Sequence, residues 1–163
     1  MTKYPFIHLR AQSSYSLSES ALKIKKLVNL AKQNKMPAIA LTDNNNLFGS
    51  LEFAIECVDN GIQPIIGSSL NLLDINLNDK FAQINLLVKN EEGYKNLLHL
   101  SSISHIKQNG NVGIKLSDLE NHFEGLICFI GGEFNPLLFI KNEKDMHDII
   151  SFFKLNFKEN FYF

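Results

Sequence analysis

Short apolar segments alternate with amphipathic helical patterns along the chain. The segment Phe6–Ala11 alternates its side chains between two faces, as a strand with one polar face does. Further strands are predicted at compact apolar runs bounded by turn residues, namely Pro37–Thr42, Ile62–Gly67, Phe81–Val88, Gly125–Ile130 and Asn160–Phe163. Because helical patterns separate most of these runs, the order favours parallel strands joined by right-handed helical crossovers.

The predicted helices have recognisable beginnings and ends. Ser20 is placed to cap a helix over Ala21–Lys35, whose apolar residues recur at the three-and-four spacing of one buried face. A second helix, Leu47–Asn60, ends at Gly61. Further predictions are a polar stretch at Leu73–Lys80, a long helix at Glu91–Lys107, a capping box at Ser117–Glu120 and a helix near Glu143–Lys154.

Polar side chains gather where the first three predicted strands end. Phe6, His8, Arg10 and Gln12 share one face of the first strand. The loops that follow the strands read QSSYSLSES, TDNNNL and IGSSL, and all are rich in small polar residues. In α/β folds the carboxyl ends of the strands carry the functional residues, so these loops mark a position for a site without indicating its chemistry.

Composition narrows the class of protein. With 163 residues, 45% of them hydrophobic, the chain can form one domain or part of one around a sizeable core. A net charge of -1 and a single arginine, Arg10, disfavour sequence-specific reading of DNA. Cys57 and Cys128 stand far apart, which is typical of buried thiols in a reducing compartment. The chain starts without a signal-peptide pattern and lacks a membrane-length apolar run, so we expect a soluble, cytoplasmic protein with no membrane partner.

Five sequence blocks together resemble a known family. In order, they read HLRAQSSYSL, MPAIALTDNNNLFGSLEF, GIQPIIGSSL, EEGYKNLLHLSSISH and EGLICFIGGE. They are similar to the N-terminal PHP (polymerase and histidinol phosphatase) domain of bacterial DNA polymerase III alpha subunits, and the resemblance covers essentially all of residues 1–163. It implies an α/β fold, a distorted TIM-like (β/α)7-type barrel. Because the chain ends within its last predicted strand, we expect it to hold the N-terminal portion of the PHP domain and to stop before the barrel is complete, without the palm, thumb and fingers.

The resemblance also implies that a metal site has been lost. In metal-binding members, histidines and carboxylates at the strand ends hold divalent ions that activate water against a phosphodiester. The family's ligand positions correspond here to Arg10, Gln12, Glu19, Asp43, Asn44, Ser69, His105 and Gly132. Arginine cannot deprotonate to become a ligand, and amides are weak ones. We therefore expect no catalytic residue, metal or cofactor in this chain, and we expect Arg10 to pair with Glu19 or Asp43 in place of the metal.

Simpler interpretations compete for the individual candidates. Asp43 is more typical of a turn or helix-capping residue than of a catalytic carboxylate. His105 is either a surviving ligand or a hydrogen-bonded structural histidine, and the same choice holds for His8. His99 and His105 lie six residues apart on one helix, which prevents them from chelating together. Solvated surface positions are predicted for His122, His147, Lys23, Lys25, Lys26 and Lys32.

The resemblance implies a role in DNA replication. The domain would act as a non-catalytic scaffold that stabilises the polymerase and docks the proofreading exonuclease (epsilon) subunit. Its other partners would be the rest of the alpha subunit and the replicase holoenzyme. DNA and the Mg²⁺ of polymerisation would be bound by domains absent from this chain. Two alternatives stay open: a metal-dependent phosphoesterase or 3'-5' exonuclease of the PHP family, and a DNA-binding module.

Overall fold

A computed structural model describes residues 6–77, 80–106 and 110–163. Within them, the helices are α1 (Ile24–Gln33), α2 (Ser50–Asp59), α3 (Glu91–Ile106), α4 (Leu116–Leu119) and α5 (Glu143–Phe157), with 3-10 turns at Pro136–Leu138 and Lys158–Asn160. The strands are β1 (Ala38–Asn44), β2 (Gln63–Leu77), β3 (Lys80–Val88), β4 (Leu126–Phe129) and β5 (Phe161–Tyr162). None of the described helices is both long and apolar enough to cross a membrane.

The described strands form one open sheet in the order β1-β2-β3-β4-β5. The pairs β1–β2 and β4–β5 are parallel, whereas β2–β3 and β3–β4 are antiparallel. The prediction that the order favours parallel strands joined by helical crossovers is therefore wrong for the centre of the sheet. The predicted polar stretch Leu73–Lys80 largely belongs to β2, which ends at Leu77, and β3 begins at Lys80. This leaves no length for the helical crossover that parallel strands require.

The predicted first strand, Phe6–Ala11, does not form a regular strand and bends at Leu9. It runs beside β1, where His8 O accepts a hydrogen bond from Ala40 N and Ala11 O accepts one from Thr42 N. Ser20 also differs from its prediction as a helix cap. Its hydroxyl accepts from Leu22 N and donates to Gln12 O, so it closes the preceding turn, and α1 begins three residues later than predicted.

The remaining helices and strands agree with the predictions to within a few residues. The predicted capping box at Ser117–Glu120 is wrong, because α4 begins at Leu116 and Asp118 accepts from the backbone N–H of Lys115. Helix α2 begins at Ser50 instead of Leu47, and α5 continues to Phe157 instead of ending at Lys154. The predicted end of the long helix at Lys107 lies outside the described residues.

Two apolar clusters form the core. The larger packs α3 and α5 against β2, β3 and β4 and includes Leu70, Ile84, Leu97 and Phe153. The smaller packs α1 and α2 against β1 and includes Ile24, Val28, Phe53 and Cys57. Both cysteines are free and fully buried, which confirms the predicted burial. Desolvation, with a smaller contribution from Glu56, raises the pKa of the Cys57 thiol to about 11, and burial raises the pKa of Cys128 further.

Helix α3 approaches the start of β4 so closely that two glycines are required. A Cβ atom on Gly93 would lie 1.8 Å from the carbonyl oxygen of Gly125. Gly125 itself has a φ of +71°, in the left-handed region that favours glycine. The Asn90 side chain accepts a hydrogen bond from Gly93 N at 2.9 Å and fixes this contact. The backbone of α3 is thus set directly against the turn that leads into β4.

Substituting Gly93 by alanine tests this close approach. We expect Gly93→Ala to lower the free energy of unfolding by at least about 2 kcal/mol, because the methyl group overlaps backbone that cannot rotate away. Urea denaturation of the variant measures the loss. Gly131→Ala is the matched control, since its Cβ would meet no atom within 4 Å. Equal midpoints for the two variants would contradict the packing described for α3.

Candidate functional site

A buried carboxylate anchors the predicted site. Asp43, in β1, is 1% exposed and accepts hydrogen bonds from Ser13 N and Ser13 Oγ at 2.7 Å and from Ser16 Oγ at 2.6 Å. Its own backbone oxygen accepts from Ser68 Oγ at 2.8 Å. Hydrogen bonds to a carboxylate are stronger than those between neutral groups. The carboxylate therefore fixes the loop after the N-terminal segment onto the end of β1.

The predicted capping role of Asp43 is wrong. Its side chain bonds backwards along the sequence to Ser13 and Ser16, and both carboxylate oxygens are occupied there. The turn before α2 is instead closed by Asn46, whose side-chain oxygen accepts from Phe48 N at 3.2 Å. Because Asp43 lies inside β1, its side chain is beside the loop that carries Ser13 and Ser16 and is not at the start of α2.

Three other predicted positions meet beside Asp43. Gln12 Nε2 donates to Asn44 Oδ1 at 2.8 Å, and Asn44 Nδ2 donates to a carboxylate oxygen of Glu19. The backbone N–H of Asn44 donates to Ser16 Oγ at 3.1 Å. An amide chain thus joins the N-terminal segment, β1 and the loop between them, at the place where the resemblance puts histidine and carboxylate ligands.

Arg10 lies on the other side of this cluster, in a second chain of amides. Its Nη2 lies 3.4 Å from Gln83 Oε1 on β3. Gln83 Nε2 in turn donates to Asn71 Oδ1 at 3.0 Å, and Asn71 Nδ2 donates to the backbone oxygen of Val112. The guanidinium also approaches the segment after β4, since a Cβ on Gly132 would be 3.3 Å from Nη1. These linked side chains therefore connect the N-terminal segment to the central strands of the sheet.

The expected ion pair of Arg10 with Glu19 or Asp43 is wrong. Within residues 6–77, 80–106 and 110–163, the one salt bridge found joins Lys95 and Glu91. Asp43 is already saturated by serine donors, and Glu19 accepts from Asn44. The Arg10 guanidinium therefore has the neutral amide of Gln83 as its partner.

Ser69 and His105 complete the set of predicted positions. Ser69 is fully buried and donates to Asn85 Oδ1 at 2.7 Å, so it links β2 to β3. His105 Nε2 lies 2.7 Å from the backbone oxygen of Asn45, and its ring stacks on Phe48. A carbonyl can only accept, so Nε2 carries the proton and is not available as a metal ligand in this arrangement.

These residues do not fit the metal cluster of the family's metal-binding members. A divalent cluster needs ionised carboxylates, neutral imidazoles or thiolates aimed into one cavity. No group of three or more histidine, cysteine and acidic residues with such an arrangement occurs in the described part of the chain. Arg10, Gln12, Asn44 and Ser69 offer a cation, two amides and a hydroxyl. What the arrangement can do is hold the strand ends together by hydrogen bonds.

The other histidines and the lysines lie outside this cluster. His8 packs edge-on against Phe6, with ring centroids 4.7 Å apart. His122 is half-buried and not fully solvated, because its ring stacks on His99 at 4.2 Å and its Nδ1 contacts Asp118 O. Exposed side chains, as predicted, belong to His147, Lys23, Lys25, Lys26 and Lys32.

Several residues of the cluster were missed by sequence reasoning. They are Ser13, Ser16, Asn71, Gln83 and Asn85. A signal for the last two was present. Gln83 and Asn85 alternate within the otherwise apolar run FAQINLLV, so both face the same side of β3. Two buried amides at strand spacing indicate a polar interior at that side of the sheet.

The chain belongs to the PHP domain family, whose sequence profile it matches over residues 8–163. It is similar to the DNA polymerase III subunit alpha of Rickettsia conorii, with 52% identity over 145 residues that cover 85% of this chain and 12% of that protein. The corresponding subunit of Rickettsia bellii is 44% identical over 163 residues, covering 97% of this chain and 14% of that protein. The chain thus spans about an eighth of the length of these curated relatives, in their N-terminal region.

A solved structure supports the fold. An amidohydrolase from Chromobacterium violaceum superimposes with a TM-score of 0.59 at 14% identity, covering 96% of this chain and 75% of that chain. The predicted α/β class is confirmed, and the open five-stranded sheet is consistent with part of a TIM-like barrel.

Removing one acceptor oxygen from Asp43 tests the anchor of the cluster. We expect Asp43→Asn to lower the free energy of unfolding by about 1–3 kcal/mol, because an N–H donor replaces the oxygen that accepts from Ser13 Oγ, and that hydroxyl already accepts from Tyr15 N. Thermal and urea denaturation measure the loss. Asp59→Asn, at an exposed carboxylate on α2, is the matched control and leaves stability unchanged. Arg10→Ala is expected to cost less than Asp43→Asn, and the reverse order would contradict the assignment of Asp43 as the anchor.

Proposed function

We propose that this chain is the N-terminal portion of the PHP domain of a DNA polymerase III alpha subunit and acts in DNA replication as a non-catalytic scaffold. The observation that carries the proposal is that Arg10, Gln12 and Asn44, at positions to which the resemblance assigns metal ligands, instead bond to side-chain amides. The identity to DNA polymerase III alpha subunits supports the setting in replication. DNA-directed DNA synthesis, with its Mg²⁺, would belong to palm, thumb and fingers domains.

A scaffold role follows from what the cluster does physically. Its hydrogen bonds join the N-terminal segment, the loop to α1, and strands β1, β2 and β3. All buried side-chain nitrogen and oxygen atoms in the described part of the chain have a partner. A fully satisfied polar network fixes a single arrangement of the chain around it. Such a rigid body would stabilise the polymerase to which it is attached.

The proposed partner is the proofreading exonuclease (epsilon) subunit, beside the rest of the alpha subunit and the replicase. A PHP domain without its own ligand set would leave proofreading to a separate subunit. Docking that subunit on the scaffold would keep DNA synthesis and proofreading in one complex. Similarity to a named replicase subunit supports this assignment to a multi-subunit machine.

Metal content and phosphodiester hydrolysis test the non-catalytic role. We expect the purified protein, equilibrated with Mn²⁺ and desalted, to retain much less than one ion per chain. It should hydrolyse bis-p-nitrophenyl phosphate no faster than the Glu19→Gln variant, because amides and a guanidinium do not replace ligands. Elemental analysis and absorbance at 405 nm give the two readouts. Stoichiometric metal with activity that Glu19→Gln abolishes would favour a phosphoesterase instead.

Direct binding tests the docking role. The exonuclease subunit from the same organism is immobilised, and the protein is passed over it at increasing concentration. We expect saturable binding that an unrelated immobilised protein of similar charge does not reproduce. Biolayer interferometry measures the dissociation constant. Absence of binding at concentrations of tens of micromolar would contradict the docking role. The non-catalytic role would still be decided by the metal test.

A further inference from the structure

One amide nitrogen beside the polar cluster has no hydrogen-bond partner. The Nδ2 atoms of Asn44, Asn46 and Asn71 all donate to nearby oxygens. Asn45 is only 8% exposed, yet its Nδ2 donates to no other residue in the described part of the chain. Every fully buried side-chain nitrogen in that part has a partner, so the Asn45 Nδ2 atom is reached from outside the protein. An enclosed amide with a free donor needs a group that accepts from it.

The rest of Asn45 is held in place. Its Oδ1 accepts from Asn71 N at 2.9 Å, its backbone oxygen lies 2.7 Å from His105 Nε2, and its backbone N–H donates to Ser69 O at 2.7 Å. Its φ of +54° lies in the left-handed region, which asparagine tolerates better than most residues do. Because Oδ1 and the backbone are both fixed, the free Nδ2 atom is fixed as well, as a binding group requires.

The free donor belongs to the lining of a cavity. The cavity has a volume of about 330 Å³, and its other described walls include Tyr15, Leu17, Glu19 and Phe48. This volume lies at the lower end of the range for small-molecule sites, about 300–1,000 Å³. Phe48 is 70% exposed, so its ring gives the cavity an aromatic surface on which a flat molecule can stack.

A carboxylate supplies the complementary acceptor. One oxygen of Glu19 accepts from Asn44 Nδ2, and the other makes no hydrogen bond to the described residues. The cavity therefore offers a free donor, a free acceptor and an aromatic surface. A planar heterocycle whose edge carries an acceptor beside a donor matches this set of groups. Nucleobases have such edges, and they stack readily on aromatic side chains.

The charges at the cavity favour a base over a phosphate. Among the described residues that line the cavity there is no lysine or arginine. Glu19 lines it, and Glu52 lies 3.1 Å from the hydroxyl of Tyr15, another lining residue. Two carboxylates repel a phosphate group. The metal ions of other family members attract one, so the chemistry at this place differs from theirs.

We propose that the cavity at Asn45 binds a single nucleobase, presented by a free nucleoside or by an unpaired base of a DNA strand. Asn45 Nδ2 donates to an acceptor on the edge of the base, Glu19 accepts from a donor beside it, and the ring of the base stacks on Phe48. Binding involves no metal and no chemical step. It goes beyond the scaffold role proposed above, which stands whether or not a base binds.

Titration of the ¹⁵N-labelled protein with deoxyadenosine tests the site. We expect saturable shifts of the backbone amide signals of residues 44–48 at millimolar nucleoside or below. Deoxyadenosine 5'-monophosphate is expected to bind no more tightly than the nucleoside, because the cavity repels its phosphate. Absence of saturable shifts would overturn the proposal. Tighter binding of the monophosphate would also overturn it, since the cavity would then recognise phosphate.

Two variants identify the groups that bind. Asn45→Asp keeps the acceptor for Asn71 N and removes the free donor, so we expect at least about tenfold weaker binding. Phe48→Leu removes the aromatic surface and is expected to weaken binding several-fold. Asn29→Asp, at an exposed amide on α1, is the matched control and retains wild-type affinity. Wild-type affinity in both Asn45→Asp and Phe48→Leu would contradict the assignment. Thermal unfolding verifies folding, and the exposed Phe48 position carries the test if Asn45→Asp does not fold.

Photo-crosslinking to the full alpha subunit distinguishes the two sources of the base. The 8-azido derivative of deoxyadenosine is irradiated with the subunit, either free or within a single-stranded oligonucleotide, and the labelled peptides are mapped by mass spectrometry. Labelling within residues 12–49 that Asn45→Asp abolishes supports the proposal, and the form that labels identifies the source. Labelling of this chain alone but not of the full subunit would show that another segment of the longer polypeptide fills the cavity, which would overturn it.

Discussion

The structure of the site depends on the hydrogen bonds accepted by one buried carboxylate. Asp43 holds Ser13 and Ser16, and through them it fixes the loop that carries Glu19 beside the end of β1. With that loop in place, Gln12 and Asn44 are close enough to bond. Because a buried charge is stable only with such donors, the serines and the carboxylate require one another. The rest of the cluster adds neutral amides around this ionic centre.

The sequence predicted most helices and strands because their apolar periodicity is local. It did not predict the antiparallel pairing of β2 with β3, since Asp74 and Asn76 interrupt the apolar run and resemble a loop, although Ile75 between them is buried. The partner of Arg10 was beyond sequence reasoning for a different reason. Which acceptor it meets depends on where β3 lies and on Asp43 being already satisfied, and both are properties of the folded chain.

In the function proposed above, the polar rim of the candidate site has a structural role and not a catalytic one. Ligand positions that point into a common space remain close together when their side chains change, so amides and hydroxyls at those places find one another as partners. Ser69 bonds Asn85, and Asn44 bonds both Gln12 and Glu19. Several of the positions to which the resemblance points are thus neighbours in the fold, while their chemistry follows from the residue types. Position is set by the fold, and reactivity is set by the side chain.

The stacking of His105 on Phe48 has a consequence for the turns on either side of it. The ring contacts Phe48 in the turn before α2, and its Nε2 lies against the backbone oxygen of Asn45 just after β1. A single imidazole near the end of α3 therefore clamps the whole connection between β1 and α2. Any change at this position loosens that connection at two points at once, so its effect is not confined to one loop.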